Sequence, residues 1–355
     1  MKHEQIEIIL AKESRAQTVN FSELRFGDIF SDHMFSIDYE EGAWKNARIE
    51  PFGPISLSPA SMVLHYGQAI FEGMKAFRQN DQSISLFRPE ENIRRLNQSA
   101  KRLCMPSFPE DRFIHALKAL VSLDSQWVPE GKGCALYLRP LMYATEEHVG
   151  VRPSASYRLL IMTSPVGAYY KQPVKLKIER ELSRAAPGGV GSAKAAGNYA
   201  SALYATVRAT EEGFDQVLWT DSATHSFVEE CSTMNVAFVI DDVLIFPEVT
   251  ETILAGVTRK SVLQLAKHLN INVEERQVSI EELEKAAKNR TLQEIFGLGT
   301  AVTISYVSHL GLESGTYELA QPNEWRIAPV LLETLSELQI DKTKDPFSWN
   351  VGLID

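Results

Sequence analysis

The sequence of 355 residues has little cysteine, no excess of positive charge and no long apolar run. Its three cysteines, Cys104, Cys134 and Cys231, are odd in number and far apart, so they form neither a zinc-binding spacing nor a disulfide framework. The formal net charge of −10 argues against a nucleic-acid or anionic-membrane partner, because no basic stripe is present to displace counterions. No segment approaches the roughly 18 apolar residues that cross a bilayer.

The first ten residues show neither the pattern of a signal peptide nor the arginine-rich pattern of a transit peptide. Together with the unpaired cysteines, this favours a reducing compartment, and we expect a cytoplasmic protein. The composition, with 44% hydrophobic and 23% charged residues, is ordinary for a globular enzyme. The length exceeds that of a usual single domain, so two domains are expected.

Strand-like and helix-like patterns are interspersed along the chain, without internal repeats. Helices are predicted over residues 89–103, 112–123, 198–212 and 256–269 from apolar residues spaced three or four apart. Strands are predicted over 83–87, 134–139, 157–163, 174–178 and 217–219, with a hairpin of 235–240 and 243–246 around Asp241 and Asp242. This mixture predicts two α/β or α+β domains, over residues 1–168 and 177–355, joined by a linker at 169–176.

Lys194 lies among alanine, glycine and serine residues in the segment 186–199. Small residues leave room for a flat cofactor to approach the backbone. A lysine held under a bound ring, away from free solvation, can attack an aldehyde such as that of pyridoxal 5′-phosphate (PLP). The alternative is a surface lysine in a flexible loop.

PLP also requires an anion beside its ring nitrogen, which keeps the ring protonated and able to accept electrons. Glu229 and Glu230 precede a predicted strand and offer such a carboxylate. The alternative is a solvated acidic pair.

The phosphate of PLP requires donors, and a helix N-terminus supplies them. Gly256 opens a predicted helix and would let a phosphate reach the amides of Val257 and Thr258. The segment 297–301, rich in glycine, offers a second group of amides. The alternatives are an ordinary helix start and an ordinary turn.

Competing motifs are absent. The residues around Lys194 do not complete a phosphate-binding P-loop, and Gly189 and Gly191 lack the third glycine of a dinucleotide fingerprint. No Gly-x-Ser-x-Gly elbow occurs. No metal is expected, because no metal-binding spacing is found among the histidines His33, His65, His148, His225 and His309.

The sequence resembles the branched-chain amino acid aminotransferases, which are PLP enzymes of fold type IV. The resemblance covers nearly the whole chain, and its most specific parts are residues 26–34, 64–67, 71–76, 87–104, 137–140 and 165–169 with the lysine segment. It implies an α/β (α+β), two-domain fold type IV aminotransferase-like architecture, with a smaller N-terminal domain and a larger cofactor-binding domain. It also implies a homodimer.

The resemblance assigns roles to individual residues. Lys194 would be the catalytic residue that bonds the cofactor aldehyde, and Arg95, not Arg94, would bind the phosphate. Tyr199 would contact the ring oxygen, and Glu230 would face the ring nitrogen, with Glu229 a bystander. Val257, Thr258 and Thr300 complete the predicted cofactor-binding set. The predicted substrate-binding residues are Phe30, Tyr66, Phe71, Tyr137, Arg139, Tyr169, Thr233 and Ala301.

The implied activity is transamination of L-leucine, L-isoleucine and L-valine with 2-oxoglutarate, which gives branched-chain 2-oxo acids and L-glutamate. A D-amino acid transaminase and an aminodeoxychorismate lyase share the fold and are the alternatives within it. A PLP-binding protein without turnover, or a lysine loop without a cofactor, would be a different class.

Two positions depart from the family pattern. Ser232 stands where glycine is common, and Val302 and Ser305 stand where vertebrate members carry paired thiols, so that redox switch is not expected.

Overall fold

The computed structural model describes residues 5–167 and 172–353. They form two compact units. The first comprises Met1–Tyr169, Ala193–Gly197 and Glu337–Asp355, and the second comprises Tyr170–Ser192 and Asn198–Ser336. The segment that carries Lys194 and the C-terminal segment thus group with the first unit, although the sequence analysis placed both in the C-terminal domain. The reason is that their contacts are with residues distant in sequence.

The first unit is built on one mixed sheet. Its first eight strands are Glu7–Ile8 (β1), His33–Glu40 (β2), Ala43–Pro51 (β3), Ala69–Phe71 (β4), Met74–Arg78 (β5), Ile84–Phe87 (β6), Ala135–Ala144 (β7) and Tyr157–Val166 (β8). Three helices accompany them: Met62–Tyr66 (α1), Pro89–Arg102 (α2) and Glu110–Leu123 (α3). The predicted helix at 89–103 is confirmed, with Pro89 at its first position, where a missing N–H costs nothing.

The apolar faces of α2 and α3 form the core of this unit with the sheet. Ile93 and Leu96 on α2 and Phe113 and Leu117 on α3 are fully buried in one cluster with residues of the central strands. The three-to-four spacing of these residues, visible in the sequence, is what turns one face of each helix inward.

The second unit is built on another mixed sheet. Its strands are Val174–Ile178 (β9), Gln216–Thr220 (β10), Phe227–Cys231 (β11), Asn235–Ile240 (β12), Val243–Pro247 (β13), Val273–Arg276 (β14), Val278–Ser279 (β15), Leu292–Gly299 (β16), Thr303–Leu312 (β17) and Gly315–Glu318 (β18). The helices of this half of the chain are Ala196–Ser201 (α4), Leu203–Glu211 (α5), Val257–His268 (α6), Ile280–Asn289 (α7) and Ala328–Ile340 (α8). The last strand, Asn350–Gly352 (β19), pairs with β6 in the first unit.

The strand order is β1-β3-β2-β8-β7-β5-β6-β19 in the first sheet, with β4 also paired to β7. In the second sheet it is β14-β13-β12-β16-β17-β9-β10-β11-β15, with β18 also paired to β17. The 3₁₀ helices are Ala16–Thr18, Ser125–Trp127, Pro322–Glu324 and Lys342–Lys344.

The hairpin predicted around Asp241 and Asp242 is confirmed. Strands β12 and β13 pair antiparallel with Ile240 opposite Val243, and both aspartates have positive φ, of 50° and 60°. Two left-handed residues are what a tight turn between twisted strands requires.

Two other predicted boundaries differ from the structure. The helix expected over 198–212 is two helices, α4 and α5, separated at Ala202. The expected linker 169–176 lies partly outside the described residues, and from Val174 onward it already belongs to strand β9. In the described part of the chain, no helix has the length and apolar character needed to cross a membrane.

Candidate active site

Lys194 lies in the first unit and is held by its backbone. Its N–H donates to the Ser99 hydroxyl (2.9 Å), and its carbonyl accepts from the Phe71 N–H (3.1 Å). The next residue, Ala195, forms an isolated antiparallel bridge with Ile70. The lysine side chain is half-buried, and Nζ lies 4.9 Å from the centroid of the Phe71 ring. Lys194 is therefore anchored beside strand β4 and is not a surface lysine on an unattached loop.

Arg95 lies on the buried face of helix α2, whereas Arg94 is exposed. The Arg95 guanidinium donates to both oxygens of Glu72, from Nε to Oε1 (2.7 Å) and from Nη2 to Oε2 (2.8 Å). Arg94 instead pairs with Glu91 at the surface (3.0 Å). Burial raises the pKa of the Glu72 carboxyl, but the charge and hydrogen bonds of Arg95 and the positive charge of Lys194 hold it below the usual value.

Tyr137 and Arg139 lie on the same face of strand β7, as the alternation of a strand requires. The Arg139 guanidinium carbon is 4.7 Å from the centroid of the Phe71 ring, and Nη2 donates to the Tyr137 hydroxyl (3.0 Å). Arg139 Nε is buried without a hydrogen-bond partner among the described residues. At Gly73 a Cβ would lie 2.1 Å from the Tyr137 hydroxyl oxygen, so a side chain there would displace the Tyr137 ring.

The other aromatic residues predicted to line the substrate pocket have different contacts from those of Phe71 and Tyr137. Phe30 stacks on Phe52 with ring centroids 4.6 Å apart, and its carbonyl accepts from Arg15 Nη2 (3.1 Å). Tyr66 ends helix α1 and is 39% exposed. Tyr169 lies outside the described residues. Their substrate roles stay predictions.

In the second unit, the Glu230 carboxylate is buried, and its partners include three donors. They are Arg184 Nη2 (2.7 Å), Asn235 Nδ2 (2.9 Å) and the Leu254 N–H (3.1 Å). Donors and an adjacent cation favour the charged form of a carboxylate. Glu230 is therefore suited to hold a positively charged ring nitrogen.

Glu229 points to a different set of partners. One of its oxygens accepts from the Thr252 hydroxyl (2.5 Å), and the other is buried without a hydrogen-bond partner among the described residues. Burial raises the pKa of the Glu229 carboxyl. Since Glu229 and Glu230 are only 8% and 5% exposed, the alternative of a solvated acidic pair is wrong.

Helix α6 begins at Val257, with Gly256 as its N-cap. Glycine has no side chain to cap the helix, and the first turn contains no acidic residue, so the positive end of the helix is suited to an anion. A Cβ at Gly256 would lie 2.0 Å from Asn235 Oδ1. Asn235 also donates to the Leu254 carbonyl (2.9 Å), so one side chain links Glu230 to the start of this helix.

The remaining predicted site residues of the second unit lie on different elements. Tyr199 is half-buried on helix α4, and Thr300 and Ala301 are half-buried between strands β16 and β17. Thr233 is exposed between β11 and β12, with Oγ1 3.5 Å from Gln216 Oε1. Their roles also stay predictions.

Two charged residues of the site were missed by the sequence analysis. Glu72 falls within the recognised segment 71–76, and a single acid between two apolar strands is a signal of a buried, paired charge. Arg184 has no such signal, because only its distance to Glu230 in the folded chain reveals its role. Within residues 5–167 and 172–353, no group of three or more histidine, cysteine, aspartate and glutamate residues is placed to hold a metal ion.

The residues present fit PLP by the chemistry of their donors. The first unit offers an anchored amine and a buried arginine, and the second offers a buried carboxylate and an uncapped helix N-terminus. These four kinds of group are what an anionic pyridine aldehyde requires.

The chain is similar to known proteins over most of its length. The profile of the family described as "Amino-transferase class IV" matches residues 69–310. The chain is 44% identical over 335 residues to "Branched-chain-amino-acid transaminase 1" of Bacillus subtilis (strain 168), covering 93% of this chain and 94% of that protein. It is 45% identical over 338 residues to "Branched-chain-amino-acid aminotransferase" of Mycolicibacterium smegmatis, covering 92% of each.

Solved structures of branched-chain amino acid aminotransferases are also similar to this chain. The branched-chain amino acid aminotransferase of Escherichia coli is 26% identical, with a TM-score of 0.74, over 91% of this chain and 99% of that one. The T.th. branched-chain amino acid aminotransferase complexed with N-(5′-phosphopyridoxyl)-L-glutamate is 26% identical, with a TM-score of 0.69, over 89% and 98% of the two chains. The predicted α/β, fold type IV architecture is thereby confirmed. Because the likeness extends over nearly the full length of its relatives, the chain belongs to the branched-chain amino acid aminotransferase family of the class IV aminotransferases.

Proposed function

We propose that the protein transfers the amino group of L-leucine, L-isoleucine and L-valine to 2-oxoglutarate, with PLP as cofactor, and so forms branched-chain 2-oxo acids and L-glutamate. The observation that carries this proposal is the arrangement around Phe71. The amine of Lys194 lies 4.9 Å from the centroid of its ring, and the guanidinium carbon of Arg139 lies 4.7 Å from the same point. The amine of Lys194 and the guanidinium of Arg139 thus both lie close to the apolar ring of Phe71.

The proposed cofactor contacts follow the family resemblance. Lys194 would bond the cofactor aldehyde, Glu230 would face the ring nitrogen, Tyr199 would contact the ring oxygen, and the phosphate would be bound by Arg95, Val257, Thr258 and Thr300. When bound, PLP supplies an aldehyde that bonds the amino group of the substrate and a ring that accepts electrons from the substrate Cα.

The chain itself supplies the proton transfer. The Lys194 amine would remove the proton from the substrate Cα and deliver it to the carbon of the cofactor's aldehyde group, acting as general base and then as general acid. In the half-reaction with 2-oxoglutarate it would move a proton in the opposite direction. Its backbone bonds to Ser99 and Phe71 limit the positions the amine can take. Glu230 would stabilise the positive ring nitrogen while electrons move into the ring.

The pocket must accept both an aliphatic side chain and the distal carboxylate of glutamate. Phe71 and Tyr137 provide apolar surface for the first. Arg139 provides a cation for the second, and its buried Nε has no acceptor among the described residues, which supports binding of a substrate oxygen there. Thr233, Ala301, Phe30, Tyr66 and Tyr169 are proposed as further substrate contacts.

The test is a transamination assay with 2-oxoglutarate and the L- and D-forms of leucine, isoleucine and valine. We expect turnover of the three L-forms and a visible absorbance band of the bound cofactor. Turnover of the D-forms alone would identify a D-amino acid transaminase, and pyruvate release from aminodeoxychorismate would identify the lyase. Either result would overturn the proposal.

We also propose that the enzyme acts as a homodimer in the cytoplasm on small amino acids and 2-oxo acids. The support is the family resemblance, together with the formal net charge of −10, which argues against a nucleic-acid or anionic-membrane partner. Light scattering of the purified protein across a concentration series would measure its mass, and a monomer at all concentrations would contradict the dimer.

A further inference from the structure

Glu72 is the most completely enclosed charged group near Lys194. It lies between strands β4 and β5, and its exposed fraction is 0%. Four donors reach its carboxylate: Arg95 Nε (2.7 Å), Arg95 Nη2 (2.8 Å), Asn92 Nδ2 (2.8 Å) and the N–H of the next residue, Gly73 (3.1 Å). These hydrogen bonds fix the position of the Glu72 carboxylate.

The charge of Glu72 is set by its surroundings. Burial alone would raise the pKa of this carboxyl. The pKa is nevertheless held below its usual value by the charge and hydrogen bonds of Arg95, the charge of Lys194 and the Asn92 hydrogen bond. Glu72 is therefore an ionised carboxylate that is paired with the Arg95 guanidinium.

The contact with Arg95 is bidentate. Two adjacent N–H groups of the guanidinium meet the two oxygens of one carboxylate, which fixes the plane of the guanidinium as well as its position. Asn92 and Arg95 are three residues apart on α2, so both reach Glu72 from one face of the helix. The orientation of Arg95 is thus decided by Glu72.

We propose that Glu72 is a positioning residue that orients Arg95 for the cofactor phosphate. The inference rests on the proposed function, in which Arg95 binds that phosphate. Glu72 is not a catalytic residue, because it acts through Arg95. The residue before it, Phe71, holds the carbonyl of Lys194 with its N–H, so the same short segment positions both the arginine and the lysine.

The competing interpretation is an ion pair that only stabilises the first unit. The two interpretations differ in which part of the cofactor they affect. Misorientation of Arg95 weakens binding of the phosphate, whereas a loosened unit weakens binding of every part of the ligand. Pyridoxal, which lacks the phosphate, separates them.

The experiment compares PLP and pyridoxal binding to the full-length apoprotein by absorbance titration, for the wild type and Glu72→Gln. Loss of a charge-assisted pair is expected to weaken PLP binding about ten- to a hundredfold, with pyridoxal binding nearly unchanged. In an Arg95→Ala background, Glu72→Gln should have no further effect on PLP, because the group it acts through is gone. Glu50→Gln is the matched control, since Glu50 accepts from Arg48 Nε (3.1 Å) elsewhere in the same sheet.

Equal weakening of PLP and pyridoxal by Glu72→Gln, or an undiminished effect in the Arg95→Ala background, would overturn the proposal. So would wild-type affinity for PLP. If circular dichroism shows that Glu72→Gln does not fold, the fallback variant is Asn92→Ala, which removes one donor and keeps the charge of Glu72. This variant should weaken the binding of PLP and not that of pyridoxal, but by a smaller factor.

A wild type that binds no PLP would overturn the proposed function as well. Normal wild-type turnover with an unaffected Glu72→Gln variant would overturn this inference alone.

Discussion

The carboxylate of Glu230 lies 2.7 Å from Nη2 of Arg184, and the two side chains are only 6% and 7% exposed. A charge pair this deeply buried is costly to break from one side, because the remaining charge has no compensation. Arg184 also donates to the carbonyls of Gly191 and Thr252. Glu230 is therefore held in place by a cation that is itself held by the backbone.

The first prediction concerns the cofactor bond. Protein purified with PLP should absorb visible light, and borohydride reduction should fix the cofactor to Lys194, whose amine is half-buried beside Phe71. Peptide mapping by mass spectrometry locates the modified residue. A label on Lys75, the buried lysine of strand β5, or on any other lysine would contradict the assignment.

The second prediction compares the two neighbouring glutamates. Glu230→Gln should leave the cofactor bound but slow exchange of the substrate Cα proton, because a neutral amide cannot hold a positive ring nitrogen. Glu229→Gln should slow it much less, since Glu229 accepts from the Thr252 hydroxyl instead. Deuterium exchange at Cα measures both, with thermal unfolding as a check on folding. A larger effect at Glu229 would mean that the wrong glutamate is assigned.

The third prediction concerns dual substrate specificity. Arg139→Ala should weaken the glutamate and 2-oxoglutarate half-reaction by about 1.5–3 kcal/mol, the value of a charge-assisted hydrogen bond, or roughly ten- to a hundredfold. The leucine half-reaction should change little. Single-turnover rates for the two substrates decide between this role and a structural one, which would reduce both rates equally.

The fourth prediction concerns pH. Burial lowers the pKa of Lys75 from 10.5 to about 8, partly opposed by the Cys134 thiol. Between these two pKa values the unfolded chain binds the proton and the folded chain does not, so this group makes the protein more stable as pH rises from about 8 to 10.5. Urea unfolding at several pH values should show this rise in the wild type and lack it in Lys75→Met. Lys101→Met, at an exposed lysine of α2, should retain the rise.

The fifth prediction concerns stability. Glu294, on strand β16, accepts from the N–H groups of Arg326 (2.6 Å), Ile327 (2.8 Å) and Ala328 (2.7 Å) and so caps helix α8 from another element. Glu294→Gln removes the negative charge at the positive end of that helix and should lower the free energy of unfolding by about 1.5–3 kcal/mol. Glu318→Gln, at an exposed position on β18, is the control. Equal stability of the two variants would contradict the capping role.

Much of the local structure follows from the sequence by itself. The spacing of Ile93 and Leu96 and the position of Pro89 define helix α2, and the two aspartates define the β12–β13 hairpin. The choice of Arg95 over Arg94 came from the family resemblance, and the structure shows that Arg95 is buried and Arg94 exposed. The small residues around Lys194 predict that this lysine binds a cofactor, and its role stays a prediction. These features depend on residues that are close to one another in the sequence.

Only the tertiary structure decided which charges pair. Glu72 meets Arg95 across 23 positions of sequence, and Arg184, between β9 and α4, meets Glu230 on strand β11. The tertiary structure likewise buried Glu229 and placed Ala193–Gly197 and Glu337–Asp355 in the first unit. The physical reason is that strand pairing and core packing bring together residues that no local pattern relates, and a buried charge finds its partner only after those elements have assembled.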